Sequence, residues 1–205
     1  MIDLRARRLL PLALLGTLGS LCTADASAAH AYSLDAAHAS VSFSVRRLGI
    51  PWITARFEEF TGDFIVARTA TPELHATASR VDVDIRSDSI LCTDARWNAR
   101  LRSREWLDTG RFPRTTYHSR RIDFGAAGHA VASGELTLHG ITRPVALTIS
   151  RLDCVDAPAD TAQGCAFAAQ ARISRSEFGL PHGFWVGGDQ VEISIRGVGT
   201  PRRTP

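Results

Sequence analysis

Apolar and polar residues alternate with a period of two over most of the chain from Tyr32 onward. Val41, Phe43 and Val45 alternate with Ser40, Ser42, Ser44 and Arg46, the signature of a strand with one face buried and the other in water. The pattern recurs at Phe60, Phe64 and Val66 around Gly62, and at Val81, Val83 and Ile85 against Asp82, Asp84 and Arg86. It returns from Tyr117 to Ile122, at Leu136 and Leu138, and at Val145, Leu147 and Ile149. Phe167, Ala169, Ala171 and Ile173 form one more strand, and Val191, Ile193 and Ile195 the last. Glu58-Glu59 breaks the phase between Phe57 and Phe60 and predicts a bulge. Gly125 to Gly128 and His139-Gly140 predict turns. One segment departs from the period, Ser87 to Arg111, where Asp94 is placed to cap a helix carrying Trp97, Leu101 and Trp106 on one side.

One apolar face per strand and short turns between strands predict an all-β antiparallel barrel of about eight strands, because closure removes the exposed edges that would template aggregation. A two-sheet sandwich satisfies the same pattern. The helical crossover is expected near a barrel mouth. Barrels of this size are either filled by their own side chains or enclose one ligand. Large residues point inward here (Phe43, Phe60, Phe64, Tyr117 and Phe167), with Trp52, Trp97, Trp106 and Trp185 in connections, and Ala169, Ala171, Ser133 and Gly134 would leave room for a pocket. The strand phase nominates Phe43, Phe60, Phe64, Tyr117, Leu136, Leu138 and Phe178 as pocket wall, with Trp97, Leu101 and Trp106 as a lid.

The first residues change the compartment. Arg5, Arg7 and Arg8 precede an apolar stretch from Leu9 to Leu21 broken by Pro11, Gly16 and Gly19, followed by Ala26-Ser27-Ala28 and Ala29-His30-Ala31. This is the form of a signal peptide over 1–28, leaving a single domain over 29–205 for export to the periplasm. Cys154 and Cys165 flank a polar loop and are expected to form a disulfide, which an oxidising compartment permits. Cys92 is then unpaired, and reads either as a reactive or homodimer-linking thiol or as a small apolar filler.

The 24 basic residues, all arginine, against 21 acidic ones give a net charge of +3, too little for a nucleic-acid footprint. No metal site is expected, since the seven histidines show no HxH or HExxH spacing and there is no C-x-x-C. There is no G-x-S-x-G, phosphate loop or dinucleotide fingerprint either, so neither a cofactor nor a catalytic residue is assigned. His38, just before the first barrel strand, is the strongest functional histidine; its alternative is a hydrogen bond to a loop carbonyl. Arg96, Arg100, Arg102, Arg104, Arg111 and Arg114 outnumber Asp94, Glu105 and Asp108 around the crossover, which reads either as a guanidinium collar for a headgroup or as a solvated face.

Several segments resemble one family, the YceI-like polyisoprenoid-binding proteins of bacteria. They are Tyr32-Ser-Leu-Asp35-Ala-Ala-His38, Val41-Ser-Phe43-Ser-Val45 with Leu48-Gly49, and Phe57-Glu-Glu-Phe60-Thr-Gly62. Leu101-Arg-Ser103-Arg-Glu-Trp106-Leu107-Asp108 with Arg111-Phe112-Pro113 follows, then Gly134-Glu-Leu136-Thr-Leu138-His139-Gly140-Ile141-Thr142-Arg143-Pro144-Val145. Ser174-Arg175-Ser176-Glu177-Phe178-Gly179-Leu180 and Val186-Gly187-Gly188-Asp189-Gln190-Val191 complete the order. The resemblance implies a lipocalin-like barrel that carries a polyisoprenoid lipid or isoprenoid quinone, without catalysis. It implies an isoprenoid lipid as partner, with a membrane surface or a membrane cytochrome of the b type further out. Arg47 and Arg100 stand where relatives often have His, so His38, Arg100 and Arg102 become the headgroup candidates. A rival reading makes the chain a barrel enzyme acting on an apolar substrate through His38; another makes it a ligand-free stress-response or interaction module.

Overall fold

A computed structural model describes residues 28–47, 50–68, 79–154, 164–181 and 188–202. Most of the segment expected to be a signal peptide, through residue 27, together with Trp185 and residues 155–163 between the paired cysteines, lies outside these residues, and the side chains of Arg47 and Trp52 are likewise not described.

Among the described residues eleven strands form one antiparallel sheet: β1 (Ala28–Asp35), β2 (Ala39–Arg47), β3 (Ile50–Phe57), β4 (Phe60–Arg68), β5 (Arg80–Arg86), β6 (Ile90–Cys92), β7 (Arg114–Phe124), β8 (Ala130–Leu138), β9 (Ile141–Cys154), β10 (Cys165–Ser174) and β11 (Gln190–Pro201). Register reduces the eleven to eight. β11 pairs with β2 from Val191↔Val45 to Gly197↔Ala39 and then with β1 at Thr200↔Ser33, so β1 and β2 are one long strand with a break. β3 and β4 make a second such strand against β6 and β5, which make a third. Each strand then neighbours the next in sequence, and β11 returns to β1/β2, which closes an eight-stranded up-and-down barrel. Serines, threonines and charged residues of the alternating pattern face outward, while the apolar set faces in.

The three breaks are fixed by hydrogen bonds, some within a turn and some between distant segments. Asp35 Oδ1 accepts from the backbone N–H groups of Ala37 (2.9 Å) and His38 (3.0 Å), which loops the chain out between β1 and β2. Val198 N–H donates to His38 O (2.9 Å) and carries the ladder past the loop. Glu58-Glu59 is therefore not a bulge within a strand; it separates β3 from β4. Opposite it, Ser87–Ser89 forms a 3-10 turn between β5 and β6, and the two breaks are tied by Glu58 N–H to Ser89 O (3.1 Å) and Arg86 N–H to Glu59 O (3.0 Å).

β7 begins opposite Arg86, so its ladder covers β5 but not β6. Residues 93–113 occupy that gap. The expected helix is present only as a 3-10 turn (Ala95–Trp97) running into a five-residue helix, α1 (Asn98–Arg102). Asp94 caps it as expected, accepting from Arg96 N–H at 3.1 Å. Ser103 turns extended at the end of α1, and from Ser103 to Phe112 successive turns take over, anchored on Ser103 O and Asp108 O. The single helix expected to carry Trp97, Leu101 and Trp106 is thus replaced beyond Arg102 by a tight coil. The His139-Gly140 hairpin turn is as expected, both residues having positive φ (53° and 73°).

Candidate functional site

Among the described residues two apolar cavities lie end to end inside the barrel. The larger, about 110 Å³, lies beneath the crossover; the smaller, about 50 Å³, lies toward the disulfide, and Val83, Leu147 and Ile195 line both. Val145 to Leu152, along β9, spans both. The seven steps between these two residues, at roughly 3.3 Å each, make ~23 Å of strand, or ~18 Å along an axis crossed at about 40°.

The wall of the larger cavity comes from the inward phase of nearly every strand: Val41, Phe43 and Val45 on β2, Phe57 on β3, Val83 and Ile85 on β5, Thr115 and Tyr117 on β7. Leu136 and Leu138 on β8, Val145 and Leu147 on β9, Ile173 on β10, and Val191, Ile193 and Ile195 on β11 complete the ring. Leu101, Trp106 and Leu107 from the crossover cap it, with Arg175 and Leu180 from the turn after β10. The smaller cavity is wholly hydrocarbon: Leu34, Phe64, Val81, Ile149, Leu152, Phe167 and Ala169 join the three shared residues. Phe64 stacks on Tyr32 at 4.8 Å and meets Phe167 edge-on at 5.6 Å. Cys154 and Cys165, paired across β9 and β10, form the disulfide at the same end.

Polar atoms near the larger cavity are turned to protein partners. Tyr117 OH donates to Ala132 O (2.8 Å) and Val145 O (3.2 Å), and burial pushes its phenol well above the usual value. Thr115 Oγ1 bonds Ser87 Oγ at 3.1 Å, and Ser42 Oγ donates to Ser194 O at 3.3 Å. Apolar surface buried inside such a space gains about 25 cal/mol per Å².

Of the residues nominated from sequence, Phe43, Leu101, Trp106, Tyr117, Leu136 and Leu138 lie together on the larger cavity, and Phe64 on the smaller. Phe60 and Phe178 are buried but line neither, because Phe60 packs at the β4 break and Phe178 beneath the turn Arg175–Phe178. Trp97 meets Trp106 edge-on at 5.9 Å and lines a shallow outer depression with Asp94, Arg96 and Arg100, so it forms the outside of the lid. Ser133 faces solvent. Gly134 leaves no room either: a Cβ there would lie 2.8 Å from Tyr117 Cζ and 2.4 Å from His118 O, so the space belongs to the Tyr117 ring.

The headgroup candidates are dispersed. His38 is exposed, its Nδ1 2.9 Å from Asp35 Oδ1. This interaction with His38 is the first cause holding the Asp35 carboxyl below the usual range, and the His38 and Ala37 backbone N–H bonds add to it. Arg100 lies over the Trp97 ring at 5.4 Å, outside the cavity. Arg102 donates from Nε to Asp88 O and from Nη2 to Ile90 O, both at 2.7 Å, and so caps the side of β6 that β7 does not reach. Its guanidinium acts as a structural clip between α1 and β6. Arg96 is held by Asp94 and Arg114 by Asp84, which leaves the collar far less open than its composition suggested. Cys92 is buried, with Sγ 3.3 Å from Thr54 O and its N–H bonded to Asn98 Oδ1 at 2.7 Å; this is the environment of a packed filler, not of a dimer-linking thiol.

Sequence reasoning favoured aromatics and missed the aliphatic wall on β5, β9 and β11, although the same period of two marks those residues. It also passed over Arg175, which is 2% exposed beside the larger cavity. Its position in the Ser174–Leu180 segment gave no sign of burial.

Among the described residues no group of three His, Cys, Asp or Glu could hold a metal ion. The family model for the YceI-like domain matches residues 32–198. A UPF0312 protein of Yersinia enterocolitica is 32% identical over 195 residues, covering 89% of this chain and 94% of its own length. Among solved structures, BcnA of Burkholderia cenocepacia superposes with a TM-score of 0.66 at 21% identity, over 80% of this chain and 98% of that one. A YCEI protein of Campylobacter jejuni gives 0.63 at 15%, over 78% and 91%. A polyisoprenoid-binding domain from Saccharophagus degradans, implicated in plant cell wall breakdown, gives 0.53 at 14%, over 84% and 98%. These likenesses agree with the closed barrel derived from register.

Proposed function

The chain belongs to the YceI-like domain family, and from that premise we propose that it is an exported carrier which holds the tail of a polyisoprenoid lipid or isoprenoid quinone inside its barrel. The observation that carries this reading is the pair of apolar cavities sharing Val83, Leu147 and Ile195, one beneath the crossover and one toward the disulfide. A prenyl chain is long, thin and hydrocarbon, and it matches a space with those properties. Binding by burial needs no reactive group, in keeping with a wall whose hydroxyls are all engaged by the protein. The Saccharophagus degradans domain that binds polyisoprenoid has the same fold.

Export to the periplasm is supported by the arginines ahead of the apolar Leu9–Leu21 stretch and by the Cys154–Cys165 bond. Tail length is set by how far the side chains between the two cavities yield, since the space is small until Leu147 and Ile195 move apart.

The direct test is organic extraction of the purified native protein followed by mass spectrometry. A prenyl lipid near one per chain is the expected result. A protein that yields none, and that takes up none when offered, would falsify the carrier reading in favour of a filled barrel.

A further inference from the structure

The two cavities differ in charge as well as in their hydroxyl groups. The one toward the disulfide is bounded only by hydrocarbon. The one beneath the crossover has Arg175 on its wall, the one charged residue among the described lining residues of either. Arg175 is 2% exposed, its guanidinium carbon lies 5.7 Å from the Trp106 ring centroid, and Nη2 donates to Gly188 O. Burial lowers its pKa and the charge of Asp189 opposes that shift, yet a guanidinium remains charged at any physiological pH. A desolvated cation beside a greasy cavity is unfavourable, and a purely hydrocarbon cargo would gain nothing from it.

The geometry points to Arg175 as the residue that selects the cargo and sets its direction: an isoprenoid bearing a hydrogen-bond-accepting oxygen, with that oxygen under Trp106 beside the guanidinium and the tail running toward Phe64. A quinone carbonyl and a prenyl phosphate both supply such an oxygen. A planar, permanently charged fork suits either one. Trp106, already on the guanidinium, would cover a headgroup seated there and exclude water from it. This rests on the carrier reading and adds a polarity to it: head at the crossover, tail at the disulfide.

The test uses delipidated full-length protein and three probes: a long-chain ubiquinone, a polyprenyl phosphate, and squalene, a prenyl hydrocarbon without oxygen. At least one oxygen-bearing probe is expected to bind at least about tenfold more tightly than squalene, the factor a charge-assisted hydrogen bond supplies. Whichever of the two gains identifies the source of the oxygen. In Arg175→Met the advantage is expected to shrink to within about twofold while squalene binding persists. Arg175→Lys, which keeps the charge and loses the fork, provides a second variant should the methionine protein not fold. Equal binding of all three probes by the unaltered protein overturns the inference and leaves the carrier reading standing. So does an equal loss for all three in a folded Arg175→Met protein, since that is the mark of a structural role. Failure of every probe to bind the unaltered protein removes the carrier reading itself.

Discussion

The half of the barrel under the crossover and the half at the disulfide are built from the same strands by different means. At the disulfide end the interior is crossed by Tyr32, Phe64 and Phe167, with β9 and β10 covalently joined. At the crossover end β6 has a single ladder, to β3, and the gap toward β7 is filled by coil, two tryptophans and the clip from Arg102. The crossover end relies on coil and on side-chain contacts that break one at a time, so it is the half expected to open first.

The sharpest way to break this comparison is a matched pair of truncations. Trp106→Ala and Phe64→Ala each remove a buried aromatic and are expected to cost about 3–5 kcal/mol in denaturant unfolding. Only Trp106→Ala should speed loss of bound lipid to acceptor vesicles; equal release rates would mean the two ends are equivalent. Replacing Cys154 and Cys165 together by Ser should cost about 3 kcal/mol in the same unfolding measurement. Amide exchange should rise in β9 and β10 near those positions and stay unchanged around α1. Arg102→Met leaves Asp88 O and Ile90 O without their donor, at about 1–3 kcal/mol, and should raise exchange in the crossover ahead of the rest of the barrel. Exchange that rises everywhere at once would show that the crossover is no separate opening unit.

The smallest effect concerns Asp35. Its folded pKa lies below the ordinary aspartate value near 3.8, so its stabilising contribution is present above that value and fades as pH falls through the lower one. The group is exposed and the change in stability correspondingly slight. A carbon-detected NMR titration should place its midpoint below 3.8, and His38→Ala should move it back up.

Much of the barrel was legible because a period of two is a direct record of which face is buried. Val41, Phe43, Val45, Tyr117, Leu136 and Leu147 all point inward as their phase requires. What periodicity could not convey was where a strand breaks. The loop at Asp35–His38 and the join at Glu58-Glu59 depend on hydrogen bonds to residues far along the chain, Val198 and Ser89, that no local window contains. The crossover was misjudged for a related reason. Trp97 and Leu101 have helical spacing and Trp106 falls out of phase with them, and tertiary packing over the β6 gap decided the conformation beyond Arg102. Aromatic weight also misled the choice of cavity wall, since Phe60 and Phe178 serve as mortar between elements while valines and isoleucines face the space. Arg175 was invisible because charge is ordinarily taken as a sign of exposure.

The seam between β11 and β1/β2 has a consequence for how the protein is made. Every other ladder joins neighbours in sequence and can zip as soon as both have been synthesised, whereas Ser33 and Thr200, whose hydroxyls lie 2.7 Å apart, are separated by 167 residues. Loop-closure entropy places that union late in folding. Until it forms the chain is a curled sheet with two raw margins; afterwards it has an inside.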